Sequence, residues 1–154
     1  MALVYFPTCG TAQGPITTTG DVTLREPAVP SGLTGVYVAT THHVLVKGFE
    51  FVTFKFVYLK GDETRFLLRP EGSADGGTTW FQLGYRDTFA SGYSPLVPDV
   101  NAIVAASYAA GTTNIALPPA YTGGHAIARM SIAWVGGTPT GTLGVYASGE
   151  TRVR

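Results

Sequence analysis

The stretch FEFVTFKFVYLKG, residues 49–61, decides the fold class of this chain. Its side chains alternate with a period of two, which is the period of a β-strand and not of a helix. One face carries Val52, Phe54, Phe56 and Tyr58, and the other carries Phe49, Phe51, Thr53, Lys55, Val57 and Leu59. Because both faces are largely apolar, we expect a central strand that is covered on both sides.

Further strand-like segments lie on either side of this stretch. They are GVYVATTHHVLVKG (35–48), TRFLLRPEG (64–72), TTWFQLGYRD (78–87), HAIARMSIAWVGG (125–137) and TGTLGVYASGETRVR (140–154). The last two are predicted to form a hairpin that turns at Gly136, Gly137, Thr138 and Pro139. Roughly seven short strands at turn-marked spacing predict an all-β sandwich or jelly roll, and only VNAIVAASYAAG (100–111) could hold a helical turn.

The first 32 residues differ from the rest of the chain, because Gly, Pro and Thr interrupt any helical or strand period. We therefore predict an extended N-terminal arm over 1–32 and a β-sandwich domain over 33–154. The arm is too apolar for a purely solvating tail. We expect it to lie on a neighbouring protein through Leu3, Val4, Tyr5, Phe6, Ile16, Val22 and Leu24.

The charge content is low for a free monomer. Charged residues make up 13% of the 154 residues, whereas soluble domains carry about 25%. We infer that other protein chains cover much of the surface, and we expect a homo-oligomer. The ten basic and ten acidic residues balance, which argues against nucleic acid as a partner. Neither a secretory signal nor a membrane-spanning apolar run is recognised, so we expect a protein made in the cytosol without a membrane partner.

The stretch EGSADGGTTW, residues 71–80, combines acids, glycines and a tryptophan. Asp75, Gly76 and Gly77 predict a tight hairpin turn, since Asp-Gly favours the positive φ that such turns require. A calcium loop would need further oxygen ligands at fixed spacing. A catalytic carboxylate pair would need Glu71 and Asp75 to face each other across a cleft, whereas at a hairpin tip we expect both in solvent. A sugar platform could use Trp80, Tyr85 and Tyr93, but Trp80 is expected in the core.

Few residues point to catalysis or to a cofactor. His42 and His43 are adjacent, so on a strand they point to opposite faces, and a metal site would need one of them to meet His125 and a carboxylate. The single cysteine, Cys9, cannot form an intrachain disulfide. Ser73 and Ser94 lack the G-x-S-x-G setting of a nucleophile. We expect no enzyme, no cofactor and no metal.

The blocks FLLRPEGSADGGTTWFQL and HAIARMSIAWVGGTPTGTLGVYASG resemble a β-sandwich pattern of small virion proteins of tailed bacteriophages. In that pattern a strand runs into EGS-x-DGG-x-x-W, and a late strand that carries an arginine precedes a glycine hairpin. The resemblance covers residues 48–149. It is structural and not catalytic, so it implies an architecture more than a role.

The resemblance is nearest to capsid decoration (cement) proteins, which cap the shell from outside, commonly as trimers. It implies a structural protein on the capsid surface of a virion, whose partner is the major capsid protein. A tail or head-to-tail component remains an alternative. So does a carbohydrate- or receptor-binding module that uses Tyr85, Phe89 and Tyr93.

Overall fold

A computed structural model describes residues 21–86 and 102–150, together with the backbone of two short strands at 12–15 and 93–94. The strands are β1 (Ala12–Pro15), β2 (Val22–Ala28), β3 (Val38–Ala39), β4 (His43–Leu45), β5 (Phe51–Leu59), β6 (Arg65–Ser73), β7 (Phe81–Gln82), β8 (Tyr85–Arg86), β9 (Tyr93–Ser94), β10 (Ala102–Val104), β11 (Thr112–Ala116), β12 (Ala120–Tyr121), β13 (Ile127–Val135) and β14 (Thr142–Glu150). One 3-10 turn, Ala105–Ser107, follows β10.

The strands form two sheets that pack against each other, which confirms the predicted all-β sandwich. The first sheet has the order β1-β4-β13-β6-β10, with β3 beside β13 and β7 beside β6. The second has the order β2-β14-β5-β12-β8-β9, with β11 beside β5. Each sheet therefore has seven strands, and the total exceeds the predicted seven because several segments are only two or three residues long.

The segment 35–48, predicted as one strand, is divided into β3 and β4. β3 ends at Ala39, and the Thr40 hydroxyl donates a hydrogen bond to the His42 carbonyl at 2.8 Å. The His42 N–H then donates to the carbonyl of Leu24, on the other sheet, at 3.1 Å. These bonds replace the strand-to-strand hydrogen bonds with β13 at this point, and pairing with β13 resumes at β4.

The two longest strand pairs join segments that are far apart in the chain. β5 pairs antiparallel with β14 over nine residues, and β6 pairs antiparallel with β13 over nine residues. The predicted hairpin between 125–137 and 140–154 is therefore wrong, because β13 and β14 lie in different sheets. Crossing between the sheets lets both strands turn an apolar face toward one shared core, which a flat two-stranded hairpin could not do.

The core lies between the two sheets and contains the inward face of β5. Val52, Phe54, Phe56 and Tyr58 are all within its buried cluster. On the opposite face of β5, Phe51 and Thr53 are buried, Lys55 and Val57 are half-buried and Leu59 is exposed. The prediction of a central strand is confirmed, whereas the prediction of cover on both faces holds only for the Phe51 end.

Residues 22–28 belong to the sandwich and not to a separate arm. They form β2, which pairs with β14 at the edge of the second sheet. Leu24 is fully buried in the core, and Val22 packs against it. Both were expected to contact a partner, but their apolar side chains complete the chain's own core. Leu3, Val4, Tyr5, Phe6 and Ile16 lie outside the described residues.

The two arches that cross between the sheets, residues 60–64 and 136–141, are held together by Glu63. Its carboxylate accepts hydrogen bonds from the Tyr58 hydroxyl, from Gly61 N–H at 3.0 Å and from Gly141 N–H at 2.9 Å. Burial alone would raise the pKa of this carboxyl. The hydrogen bonds from Tyr58 and the backbone outweigh burial and hold the pKa of Glu63 below its ordinary value.

Candidate functional site

The stretch 71–80 joins β6 to β7, which pair antiparallel, but residues 74–80 separate the two strands, so the loop is longer than the tight turn that was predicted. Glu71 pairs with Gln82, and Gly72 pairs with Phe81. The connection is wider than a two-residue turn, and Gly76 and Gly77 both have positive φ, at 73° and 96°. Glycine adopts this backbone without the steric cost that a Cβ brings.

Hydrogen bonds within the loop give it a defined shape. Asp75 Oδ1 accepts from the Ser73 hydroxyl at 2.7 Å and from Thr79 N–H at 2.8 Å. Ser73 Oγ in turn accepts from Gly77 N–H at 2.9 Å. The bonds from Thr79 and Ser73 hold the pKa of Asp75 well below its ordinary value of 3.8. The loop ends at Trp80, whose Nε1–H donates to the Gly77 carbonyl at 2.8 Å.

Glu71 is buried, at 4% exposure, whereas a position in solvent was expected. Its carboxylate accepts from Arg69 Nε at 2.7 Å, from Arg129 Nε at 2.8 Å and from the Ser131 hydroxyl at 3.0 Å. The expectation was wrong because Glu71 lies on a strand of the first sheet, before the loop, and not at the tip. There the neighbouring strand β13 supplies two of its three partners.

Each of these guanidinium groups also packs on an aromatic ring. Arg129 Cζ lies 3.8 Å from the centroid of Trp80, and Arg69 Cζ lies 4.3 Å from the centroid of Tyr37. Trp80 is thus half-buried over a charged group and is not in the core, contrary to the prediction. We call Tyr37, Arg69, Glu71, Arg129 and Trp80 the aromatic–guanidinium ladder.

The alternation of the strands places the ladder on the outer face of the first sheet. On β6, Phe66 and Leu68 point into the core, so Arg69 and Glu71 project on the same outer side with a spacing of two. On β13, Met130 and Ile132 point into the core, so Arg129 projects outward. Tyr37 directly precedes β3, and Trp80 directly precedes β7, so short segments at the sheet margin supply both rings.

Two positive charges share one negative charge in the ladder. Both arginines use Nε to bind Glu71, and in the described part of the chain their terminal Nη groups donate no hydrogen bond. The side chains of Arg69 and Arg129 are 38% and 26% exposed, against 6% for Glu71. The carboxylate is thus enclosed, while both arginine side chains remain partly exposed.

The histidines do not converge with acids on a metal site in the described ranges, where no group of three or more metal-ligating side chains occurs. His43 lies beside Trp80, with ring centroids 6.1 Å apart. His125 stacks on Phe81 at 5.9 Å with an interplanar angle of 22°. Its buried Nδ1 has no hydrogen-bond partner among the described residues.

A cavity of about 320 Å³ lies next to His125 and is lined by segments 47–50 and 121–125. Phe81, the ring that stacks on His125, is 57% exposed. Phe89 and the side chains of Tyr85 and Tyr93, which were considered for a sugar platform, lie outside the described residues.

A second surface is the apolar turn, residues 29–36, which connects β2 to β3. Val29, Leu33 and Val36 are 48%, 75% and 49% exposed, which makes them three of the six large exposed hydrophobic residues in the described part of the chain. A backbone hydrogen bond from Val36 N–H to the Leu33 carbonyl closes the turn. The turn is fixed to β13, because Gly35 N–H donates to the Trp134 carbonyl at 2.8 Å.

The sequence did not single out Arg69, Arg129 and Tyr37 as site residues, nor Leu33 and Val36. The spacing of Arg69 and Glu71 on a predicted strand was a usable signal, since residues i and i+2 share one face. The contribution of Arg129, 58 residues away from Glu71 along the chain, depends on the strand register, which periodicity does not supply.

No helix in the described ranges has the length and apolar character needed to cross a membrane. In comparisons with known proteins, no family model, curated protein or solved structure matches this chain.

Proposed function

We propose that this protein is a non-enzymatic structural protein of a tailed-phage virion, which binds the outer surface of the capsid and bridges neighbouring major capsid subunits. The observation that carries the proposal is the exposed apolar turn at 29–36. Single exposed hydrophobic residues are normal on a soluble protein, whereas a cluster on one fixed turn is typical of a docking surface. The low charge content, 13%, adds to this, because the remaining surface is also suited to contact with protein.

The turn is well placed to act as an anchor. It is bonded to β13 at Trp134, whose carbonyl oxygen accepts hydrogen bonds from the Thr34 hydroxyl and from Gly35 N–H. Leu33 is therefore presented on a preformed loop, so little conformational entropy is lost when a partner covers it. A rigid apolar side chain that enters a partner's pocket is the usual centre of a stable interface.

The first experiment measures the mass of the protein by light scattering and then its co-sedimentation with empty phage shells. We expect a homo-oligomer, with a trimer favoured, that sediments with shells at saturating stoichiometry. A monomer that remains in the supernatant and is retained on a glycan surface would instead support a carbohydrate-binding module. Sedimentation with isolated tails and not with shells would support a tail component.

A substitution assigns shell binding to the turn. Leu33→Ser is expected to weaken shell binding roughly tenfold, because the site loses the burial of one large apolar side chain. Leu59→Ser is the matched control, since Leu59 is also exposed but lies at the end of β5, away from the turn. Equal binding by the two variants would remove the turn from the interface.

The anchors proposed in the N-terminal segment need a separate deletion. Removing residues 1–11 takes away Leu3, Val4, Tyr5 and Phe6 and spares β1 and β2. We expect weaker shell binding with an unchanged unfolding transition, since both sheets keep their described strands. Unaltered shell binding would show that these four residues are not anchors.

A further inference from the structure

We infer that the outer face of the first sheet is a second protein-docking surface, and that its partner presents an aspartate or glutamate carboxylate to the Nη edges of Arg69 and Arg129. The inference rests on the proposed function in that the partner is a protein subunit. The docking surface is the aromatic–guanidinium ladder and not the apolar turn, and the group that it recognises is a carboxylate.

The ladder carries more positive than negative charge. One carboxylate, Glu71, faces two guanidinium groups, so the cluster keeps an excess positive charge. A single arginine would satisfy the charge of Glu71. The second arginine therefore leaves this face of the sheet complementary to an anion.

The geometry of the two arginines suits a carboxylate. Both arginines are held at two points, because Nε is bonded to Glu71 and Cζ lies over an aromatic ring. Such fixed groups lose little rotamer freedom when a ligand arrives. Their terminal donors form planar forks, and a carboxylate is the group that such a fork binds with two parallel hydrogen bonds.

The residue types of the ladder favour a protein partner over a glycan. Trp, Tyr and Arg are the residues most enriched at the energetic centre of protein interfaces, and here they lie together on the outer face of a sheet. A sugar-stacking site would present open ring faces. In the ladder, Trp80 carries Arg129 at 3.8 Å and Tyr37 carries Arg69 at 4.3 Å, so these rings support the guanidinium groups. An acidic protein segment therefore fits this face better than a neutral glycan.

The test is an NMR titration of the full chain with a tetraglutamate peptide, with a tetraglutamine peptide as the uncharged probe. We expect the Nε–H signals of Arg69 and Arg129 to shift saturably with tetraglutamate and not with tetraglutamine. The affinity for tetraglutamate should fall as the salt concentration rises. Arg69→Gln should weaken the binding of tetraglutamate by roughly three- to tenfold. Lys55→Gln is the control, because Lys55 is another half-exposed cation in an ion pair, but on the second sheet.

The inference would be overturned by the absence of a saturable shift with tetraglutamate, by shifts that centre on lysines, by equal weakening in the two variants, or by binding of polygalacturonate without binding of tetraglutamate. Arg69 is chosen for replacement because it is the more exposed of the two arginines. In Arg69→Gln the carboxylate of Glu71 keeps its bonds to Arg129 and Ser131. The titration needs no shells. A failed titration with intact shell binding would remove only this surface, whereas a positive titration without shell binding would remove only the virion role.

Discussion

Glu63 on the arch between β5 and β6 accepts a hydrogen bond from the N–H of Gly141 on the arch between β13 and β14, at 2.9 Å. Asp62 N–H adds a bond to the Thr140 hydroxyl oxygen at 2.9 Å, and Thr64 N–H adds one to the Gly136 carbonyl at 3.0 Å. The two arches carry the chain between the sheets, so their connection fixes one end of the sandwich. A single buried carboxylate at this end satisfies donors from three separate positions.

Glu63→Gln should lower the free energy of unfolding by about 2–4 kcal/mol. The carboxylate has two acceptor oxygens for its three donors, whereas an amide has only one acceptor oxygen. Glu63 is 3% exposed, so water cannot replace the lost bonds. Urea unfolding at neutral pH measures the loss. Glu26→Gln makes the same chemical change at an exposed position and should alter stability by less than about 0.5 kcal/mol.

The same group predicts a pH dependence. The folded pKa of Glu63 lies below its ordinary value of 4.5, so its contribution is fully present above the unfolded pKa and is lost as pH falls through the folded pKa. Below about pH 4.5, the wild type should therefore lose more stability than Glu63→Gln. Parallel stability curves for the two proteins between pH 5 and pH 2 would contradict this assignment.

Gly141→Ala should destabilise the protein by roughly 3 kcal/mol or more, because the arches leave no space for a Cβ. A Cβ at this position would lie 2.6 Å from the Leu59 carbonyl oxygen and 2.8 Å from Gly61 N, and backbone atoms cannot rotate away. Thermal and urea unfolding measure the effect.

Gly111→Ala separates this steric effect from backbone strain. Gly111 has a φ of +106° and open space around it, so alanine there meets strain without a clash and should cost about 1 kcal/mol. If both substitutions cost the same, the arches are not closely packed at Gly141.

The loop that holds Trp80 should be sensitive to the ionisation of Asp75. Hydrogen bonds from Thr79 N–H and the Ser73 hydroxyl hold the pKa of Asp75 below 3.8, so the Thr79 amide proton should titrate with a midpoint below that value. The bonds are present above the unfolded pKa and are lost as pH falls through the folded pKa. An NMR pH titration of Thr79 tests this, and Asp75→Asn should abolish the titration. A midpoint at 3.8 or above would show that these bonds do not form in solution.

The fold class could be predicted from sequence, because the period of two in residues 49–61 reports directly on side chains that alternate across a sheet. The turn at 136–139 was also identified correctly as a break between strands. What failed was the pairing of the two strands on either side of this turn, which lie in different sheets. Gly and Pro signal a change of direction, but they do not say whether the chain returns in the same sheet or crosses to the other.

The surroundings of a side chain were also not predictable from its neighbours in sequence, as the aromatic–guanidinium ladder shows. EGSADGGTTW predicted a turn, and the positive φ of Gly76 and Gly77 agrees with it. The environment of Glu71 could not be predicted from that stretch, because Arg129 comes from β13 and Tyr37 from the approach to β3. A carboxylate judged by its own neighbours in sequence was expected in solvent, and long-range strand pairing placed it in a buried network instead.

A double-mutant cycle should distinguish this network from an ordinary surface ion pair. Glu71→Gln and Arg129→Gln are each expected to cost about 1–3 kcal/mol, and the double variant less than the sum, with a coupling of about 1–2 kcal/mol. The coupling arises because Glu71→Gln removes the carboxylate that Arg129 binds, whereas Arg129→Gln takes one charged donor from a buried carboxylate that keeps Arg69 and Ser131. Urea unfolding of the four proteins gives the value.

The pair Lys55 and Asp21 provides the comparison on the second sheet. Its N–O distance is also 2.8 Å, but its side chains are 41% and 40% exposed. Solvent screens such a pair, so the same cycle with Lys55→Gln and Asp21→Asn should give a coupling below about 0.5 kcal/mol. Since the distances are equal, any excess coupling at Glu71 measures what burial and the added bonds to Arg69 and Ser131 contribute. Equal couplings would mean that the enclosed carboxylate stabilises the outer face no more than an exposed ion pair does.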